Sequence, residues 1–291
     1  MDKNKKTKDD KNGIKMKTIL VTGSNRGIGR ALIQKLLEIK TNHKLIMSAR
    51  DNEKGEEVYK ELCEKYPEDT ERFFYHQLDI TNEDSIQEFI LWIKKTFKKI
   101  DYIVNNAGVA SKGTKFDTEV VDFTFSVNVN GTFTFTEKMI TSECINKQGK
   151  IILMGSLGGH LSKIKNEDLL KSFKSAKLSD DLLKLATKFR NSVENGTTEE
   201  DGWCKNAYSV SKLIINTYAK VLAHRRDVNK EQISVYACDP GWTKTEQGGI
   251  YAKKTIEEGA EQPYYLLMLP DGINKENQGK FFYDNKVTSI E

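Results

Sequence analysis

A tyrosine and a lysine that could perform acid–base chemistry stand four residues apart in the stretch NAYSVSK, as Tyr208 and Lys212. On a helix this spacing places both side chains on one face, so a phenol and an ammonium group would meet there. A free tyrosine has a pKa of about 10, and a nearby ammonium group would lower that pKa and help proton transfer. A half-buried tyrosine beside a solvated lysine has the same spacing, so other motifs must separate the two interpretations.

A glycine-rich turn, TGSNRGIG, follows the first apolar run and opens the helical pattern RALIQKLLEIK. Its glycines, Gly23, Gly27 and Gly29, would let the backbone turn tightly and approach a pyrophosphate. The amino terminus of the helix would add unpaired N–H groups and a partial positive charge. The order of strand, glycine turn and helix therefore predicts a dinucleotide site rather than an ordinary surface loop.

The end of the second apolar run indicates which dinucleotide binds. An acidic residue usually stands there to bond the ribose hydroxyls of NAD, but this chain has Ala49. Arg50 beside it, and Arg26 inside the glycine turn, could instead grip a 2′-phosphate through charge-assisted hydrogen bonds. We therefore expect NADPH. The alternative is that Asp51 neutralises Arg50, which would then be a solvated surface arginine.

The elements that must position these residues are short apolar runs alternating with helical patterns. Near-continuous hydrophobicity indicates strands buried on both faces, and alternation with helices indicates right-handed βαβ units. We predict one reductase domain over residues 17–291 with an α/β fold. It would be a Rossmann-like, doubly wound, seven-stranded parallel sheet with helices on both faces. The strand runs are KTILVTG, KLIMSAR, RFFYHQLDI, DYIVNNAG, GKIILMGS, ISVYACDPG and GKFFYDNKV.

Residues 157–207 interrupt this alternation, and we predict a helical insertion there, ahead of Tyr208. Apolar residues recur at helical spacing in SDDLLKLATKFRNSV, so either the rest of the domain or a partner must cover them. This apolar stripe consists of Leu182, Leu185, Ala186, Phe189 and Val193.

The formal net charge of +4 is concentrated in the first 17 residues, which hold seven lysines and three aspartates. We predict that residues 1–16 are a disordered charged tail, either a solubilising extension or a contact for an acidic partner. The remaining domain is balanced in charge and has no basic stripe suited to nucleic acid. No apolar run is long enough to span a membrane, and the lysine-rich start lacks the apolar core of a secretory signal, so we expect a cytoplasmic protein.

The four cysteines and four histidines are scattered along the chain. Their spacing matches neither a metal site nor a disulfide framework, so we expect free thiols and no metal. Whether Cys204 or Cys238 makes the protein sensitive to oxidation stays open at this point.

From about Lys17 to its end the chain resembles the short-chain dehydrogenase/reductase family. TGSNRGIG is similar to the family's glycine motif, LDIT to its adenine-contacting segment and NNAG to its fourth-strand signature. The segments NVNG, MGS and YSVSK resemble those that carry its catalytic tetrad, here Asn128, Ser156, Tyr208 and Lys212. The cofactor-binding residues that the resemblance implies are Gly23, Asn25, Arg26, Gly27, Ile28, Gly29, Arg50, Asp79, Ile80, Asn106, Ala107, Gly108, Tyr208, Lys212, Pro240, Gly241 and Thr243.

The resemblance implies a role for each tetrad residue in reducing a carbonyl group, a reaction that builds negative charge on the carbonyl oxygen. Tyr208 would give the proton and Ser156 would hold the substrate oxygen. Lys212 would also bind the nicotinamide ribose, and Asn128 would hold a water that relays protons to Lys212.

The insertion, the turn DPGWTKTEQGG and the chain end resemble the monomeric carbonyl reductases and plant-type relatives that reduce terpenoid or alkaloid ketones. This branch implies a monomer, and it implies that Trp242 and Gln247 line the substrate pocket. Asp239 stands where the animal carbonyl reductases have a cysteine linked to glutathione-conjugate binding. Its carboxylate would repel an anionic conjugate, or Asp239 is only a turn residue before Pro240.

The leading hypothesis is NADPH-dependent reduction of ketones, aldehydes or quinones. One alternative is a dedicated dehydrogenase for one steroid or terpenoid metabolite. Another is a non-catalytic NADPH-binding regulator, against which the intact tetrad argues.

Overall fold

A computed structural model describes residues 16–111 and 113–291 of the chain. The predicted tail of residues 1–16 lies outside the described residues, except for Met16. Within the described part, one sheet carries all the named strands, in the spatial order β3-β2-β1-β4-β5-β6-β7-β8. The strands are β1 (Thr18–Val21), β2 (Lys44–Ala49), β3 (Phe73–Gln77), β4 (Ile100–Asn105), β5 (Ile145–Met154), β6 (Ser234–Cys238), β7 (Lys280–Tyr283) and β8 (Lys286–Thr288).

Strands β1 to β7 pair in parallel, and β8 is antiparallel to β7. The strand order reverses between β1 and β4, which makes the carboxyl ends of these strands the expected place for a ligand. The predicted doubly wound α/β fold is confirmed, with eight strands rather than seven. The sequence GKFFYDNKV is a hairpin, because Asp284 and Asn285 both take left-handed φ values, 51° and 59°, as a two-residue turn requires.

Helices cover both faces of the sheet, and the side chains of each strand alternate between two hydrophobic clusters. The helices are α1 (Gly27–Glu38), α2 (Asn52–Lys65), α3 (Glu83–Thr96), α4 (Thr118–Phe125), α5 (Thr132–Thr141), α6 (Glu167–Ser175), α7 (Ser179–Glu194), α8 (Ala207–Ala223), α9 (Arg226–Lys230) and α10 (Ile256–Met268). Ile46 of β2 faces the cluster under α3, α4, α5 and α8, while its neighbours Leu45 and Met47 face the cluster under α1, α2 and α10.

The segment 157–207 contains α6 and α7, and α7 packs against α4 and α8. Phe189 stacks on Phe125 of α4 with ring centroids 5.5 Å apart, and it also meets the buried Trp203 at 5.3 Å. The other residues of the apolar stripe lie in the same core, although Val193 is only partly buried. The stripe is therefore covered by this chain's own helices.

In the part of the chain that the structure describes, no helix combines the length and the apolar character needed to cross a bilayer.

Candidate active site

The glycine turn lies between the carboxyl end of β1 and the start of α1 and is shaped for close backbone contact. Gly23 and Gly27 take φ values of 59° and 56°, which are left-handed and favour glycine. A Cβ at Gly23 would lie 2.9 Å from Ala107 Cα, and one at Gly29 would lie 2.4 Å from Asn106 Nδ2. In this cradle the backbone therefore turns tightly just before the unpaired N–H groups of α1, an arrangement that fits a pyrophosphate.

The NNAG segment after β4 holds the glycine turn in place. Asn106 Nδ2 donates to Thr22 O at 2.8 Å and to Gly23 O at 2.9 Å. The backbone N–H groups of Asn106 and Ala107 both donate to Thr22 Oγ1 at 3.0 Å. Sequence reasoning missed Thr22, although a threonine directly before a glycine turn at a strand end could have been noticed.

The two arginines expected at a 2′-phosphate lie at the expected strand and turn positions. Arg50 follows β2, and its carbonyl accepts from Gln77 Nε2 at 3.0 Å. Asp51 does not neutralise Arg50, because its side chain accepts a hydrogen bond from Lys54 N at 3.2 Å, which caps α2, and forms an ion pair with Lys54 Nζ at 3.3 Å. Arg26 is exposed and pairs with Glu246 of the loop that follows β6.

The remaining predicted cofactor residues surround the same edge. Asp79 Oδ1 accepts from Thr81 N at 2.9 Å and Thr81 Oγ1 at 2.7 Å, so it shapes the turn after β3. Ile80 is buried, and its carbonyl lies 2.9 Å from where a Cβ on Gly131 would stand. Asn25 and Ile28 belong to the glycine turn and the start of α1.

Tyr208 and Lys212 lie on one face near the start of α8, as the spacing predicts, with Asn206 as the N-cap. Lys212 Nζ lies 5.5 Å from the centre of the Tyr208 ring and donates to Met154 O at 2.6 Å. Ser156, just after β5, lies within hydrogen-bonding reach of the Tyr208 hydroxyl.

Asn128 reaches the same place from a π-helical segment, Ser126–Gly131, between α4 and α5. Its side chain exchanges two 2.8 Å hydrogen bonds with the backbone of Val109 and donates to Ser211 Oγ at 3.1 Å. A Cβ on Gly108 would lie 3.3 Å from Asn128 Oδ1 and 3.7 Å from Lys212 Nζ. The structure thus brings all four tetrad residues to the edge that carries the glycine turn.

The acid–base groups are tuned mainly by burial. Burial, and to a smaller extent the Asp239 carboxylate, raise the pKa of Tyr208, and the Ser156 hydroxyl opposes both, so that the net pKa is about 12. Burial lowers the pKa of Lys212 to about 8, against the effect of Asp239. The expectation of a lowered pKa at Tyr208 is therefore wrong for this structure, in which the net pKa of the phenol is raised. The ammonium group donates to Met154 O and lies over the ring, and burial of the phenol dominates.

Asn216, which sequence reasoning missed, fixes the loop that carries Ser156. Its Nδ2 donates to Ser156 O and Gly159 O, both at 2.8 Å, and its Oδ1 accepts from Ser156 N at 3.3 Å. The available signal was a polar amide in an apolar helical run, four residues after Lys212 and so on the same face.

The loop after β6 closes the site on its other side. Gly241 has a φ of 84°, and the buried Thr243 donates its hydroxyl to Gly241 O at 2.9 Å. Trp242 is 55% exposed and donates to Gly248 O, and Gln247 is exposed as well. Neither side chain hydrogen-bonds to a tetrad residue within residues 16–111 and 113–291, so their role in a pocket stays a prediction.

All four cysteines are free, as expected. Cys238 is buried beside Met154, with the two sulfur atoms 3.8 Å apart, and burial raises the pKa of its thiol far above the usual range. Burial also raises the pKa of the half-buried Cys204 thiol. Both thiols are therefore protonated at neutral pH, which disfavours oxidation.

Comparison with known proteins shows which family the chain resembles. The family model described as short chain dehydrogenase matches residues 17–167. Carbonyl reductase (NADPH) 1 of Mus musculus is 33% identical over 276 residues, and carbonyl reductase (NADPH) 3 of Rattus norvegicus is 34% identical over 276 residues. Both alignments cover 92% of this chain and 96% of the relative. Among solved structures, salutaridine reductase of Papaver somniferum matches 92% of this chain and 99% of its own, with a TM-score of 0.80 and 26% identity.

Proposed function

The chain belongs to the short-chain dehydrogenase family and is an NADPH-dependent oxidoreductase similar to the carbonyl reductases, and from this we propose that it reduces ketones, aldehydes or quinones to alcohols with Tyr208 as the proton donor. The observation that carries the proposal is the convergence of Ser156, Tyr208 and Lys212 beside the glycine cradle. NADPH, when bound, supplies the hydride.

We expect NADPH to be bound by residues at the point where the strand order of the sheet reverses. The first turn of α1 and the cradle of Gly23 and Gly29 would receive the pyrophosphate. Arg50 would meet the 2′-phosphate, and Arg26 would join it by exchanging its contact with Glu246.

Proton transfer follows from the surroundings of Tyr208. With a pKa raised to about 12, its hydroxyl is protonated at neutral pH and can donate to the carbonyl oxygen. Ser156 Oγ already accepts from Gly158 N at 3.0 Å, so its own proton is available for the same oxygen. After transfer, the Lys212 ammonium beside the ring stabilises the tyrosinate, and Asn128 holds the neighbouring backbone of Val109 in place.

The test is NADPH consumption by the purified protein with a panel of quinones, aromatic aldehydes, cyclic ketones and steroids, with Tyr208→Phe as the variant. We expect turnover that falls by about 10²–10⁴ in the variant. Retention of more than about a tenth of the activity in Tyr208→Phe would refute the role of the tyrosine. If the wild type binds NADPH but reduces no compound of the panel, a non-catalytic regulator would be favoured instead.

A second candidate is a dedicated reductase of one apolar ketone, such as a steroid or terpenoid. Three large apolar side chains in the loop after β6 favour it, since Trp242, Ile250 and Tyr251 are 55%, 83% and 80% exposed. Trp242 and Gln247 are the proposed pocket residues in either case. Turnover confined to one compound class in the same panel would select this candidate.

We further propose a cytoplasmic monomer. The insertion supports a monomer, because α7 buries its apolar stripe on α4 and α8 and so covers helix surface that could otherwise meet another copy. Light scattering at micromolar concentration should give the mass of one chain, 33.2 kDa. A dimeric mass would contradict the proposal.

A further inference from the structure

Asp239 lies directly after β6, and both of its carboxylate oxygens are used inside the protein. Oδ1 accepts from Gly241 N at 2.6 Å, which closes a local turn of the kind that aspartate favours before proline. Oδ2 accepts from Leu157 N at 2.6 Å, across 82 residues of sequence. A role of Asp239 in the local turn explains only the first of these two hydrogen bonds.

The second bond joins two loops of the active site. Leu157 follows Ser156, so Asp239 holds the loop that carries Ser156 against the loop that carries Gly241 and Thr243. The backbone N–H of Asp239 donates to Phe282 O of β7 at 3.0 Å, which anchors the aspartate itself. The side chain is 8% exposed, so water screens its charge little.

Several titratable groups face this carboxylate. Tyr208 and Lys212 face it from α8, and Cys238 precedes it on β6. Lys163, from the insertion, contacts the start of α8, where its Nζ donates to Ser209 Oγ at 3.0 Å. Both hydrogen bonds to the Asp239 carboxylate come from backbone N–H groups, so within residues 16–111 and 113–291 the negative charge is held in place without a cation bonded to it.

We propose that Asp239 is a positioning residue of the reductase, whose carboxylate ties the Ser156 loop to the loop after β6 and holds a negative charge against Tyr208 and Lys212. This inference rests on the proposed function. A negative charge disfavours tyrosinate and favours ammonium, so Asp239 keeps the proton on both groups. It therefore widens the pH range in which Tyr208 can donate to a carbonyl oxygen.

The sign of the effect follows from the charge. The Lys212 ammonium is lost as pH rises through its pKa of about 8, so reduction by the wild type should decline above that pH. Replacing Asp239 by an uncharged residue lowers the pKa of Tyr208 and of Lys212 together. The alkaline decline should then begin at lower pH.

The experiment is a pH profile of NADPH-dependent reduction of 4-nitrobenzaldehyde by the wild type, Asp239→Asn and Asp239→Glu. We expect Asp239→Asn to move the alkaline limb by roughly one pH unit towards neutrality. Asp239→Glu keeps the charge, so its limb should stay in place even if its kcat falls. Asp271→Asn, which removes a carboxylate near the buried Lys150 instead, is the matched control and should leave the limb unchanged.

An alkaline limb of Asp239→Asn at the wild-type position would overturn the proposal and leave Asp239 as a turn residue. An equal shift in Asp239→Glu would also overturn it, because the shift would then not follow the charge.

A second measurement does not require a variant at position 239. The difference in tyrosinate absorbance between the wild type and Tyr208→Phe reports the titration of Tyr208 alone. We expect no difference below about pH 10. A tyrosinate signal below that pH would overturn the proposal even if Asp239→Asn does not fold. If the wild type reduces no carbonyl probe, the same absorbance titration of Asp239→Asn, in which tyrosinate should form at lower pH than in the wild type, still tests Asp239 while the proposed function fails separately.

Discussion

Two buried lysines lie at opposite ends of the strands of the parallel sheet and are alike in burial, in the tyrosine ring beside them and in the direction of their pKa shift. Lys150 is 1% exposed near the amino-terminal edge, and Lys212 is 7% exposed at the carboxyl edge. Each lies over a tyrosine ring, 4.5 Å from the centre of Tyr102 and 5.5 Å from that of Tyr208. Burial lowers the pKa of both ammonium groups. Burial and a neighbouring ring therefore do not distinguish a structural lysine from one that we propose to be catalytic.

The two lysines differ in how many of their donors are committed. Lys150 donates to Leu267 O at 2.8 Å and to Leu269 O, and it pairs with Asp271 at 3.3 Å. Tyr102 donates its hydroxyl to that same Asp271, so the lysine, the tyrosine and the aspartate all have partners within one cluster. Within the described residues, Lys212 Nζ has one hydrogen-bond acceptor, Met154 O. It therefore keeps donors for a ribose and for a developing tyrosinate.

The largest expected contrast comes from the two lysines themselves. Lys212→Met should lower kcat for 4-nitrobenzaldehyde by about 10²–10⁴, because the tyrosinate loses its stabilising charge. Lys150→Met should leave kcat unchanged but lower the free energy of unfolding by about 2–3 kcal/mol, since two carbonyls and Asp271 lose a partner. Steady-state kinetics and urea unfolding measure both. Similar losses of kcat in the two folded variants would contradict the contrast.

A change of pH should separate function from stability at Lys212. Its folded pKa of about 8 lies below the unfolded value of 10.5, so the unfolded state binds more protons between those pH values. The free energy of unfolding should therefore rise, by about 2 kcal/mol from pH 8 to 10, relative to Lys212→Met. Activity should fall over the same range. Urea unfolding at several pH values measures the first effect, and parallel curves for wild type and variant would exclude it.

The same distinction applies to arginines. Arg190 forms ion pairs with Asp122 at 3.3 Å and with Glu194 at 2.5 Å. Asp51, the acidic neighbour of Arg50, pairs with Lys54 of α2 instead of with Arg50. We expect Arg50→Ala to raise the KM for NADPH about tenfold more than the KM for NADH. Arg190→Ala should change neither constant. Equal effects of Arg50→Ala on both cofactors would remove the case for 2′-phosphate binding.

The sequence predicts the parts of this comparison that depend on local pattern. Strand, glycine turn and helix follow each other directly, and Tyr208 and Lys212 lie on one helix, so spacing suffices for both. The carboxyl ends of parallel strands share one edge, which brings Ser156 to the same place. The closed cluster around Lys150 could not be predicted, because Asp271 is 121 residues away in sequence and contacts it only through the fold.

Side-chain direction is the second thing that spacing leaves open. Helical spacing places the Lys212 ammonium near Tyr208, but the backbone of β5 determines that it donates to Met154 O. The raised pKa of Tyr208 follows from burial and from Asp239, both products of the tertiary structure. The bridging roles of Asn216 and Asp239 arise in the same way, from loops that meet only in the folded chain.

The smallest expected effect concerns the two tyrosines. Tyr102 donates its hydroxyl to Asp271, and burial together with that hydrogen bond raises the pKa of the phenol far above the usual range. Tyr102→Phe removes one hydrogen bond to a charged group and should lower the free energy of unfolding by about 1.5 kcal/mol. It should leave kcat intact, unlike Tyr208→Phe, because Tyr102 lies at the edge of the sheet without the glycine turn. A loss of kcat in Tyr102→Phe, with the fold preserved, would mean that the two ends of the strands are coupled. A buried lysine and tyrosine whose hydrogen-bonding groups are all paired inside the protein could then still affect catalysis.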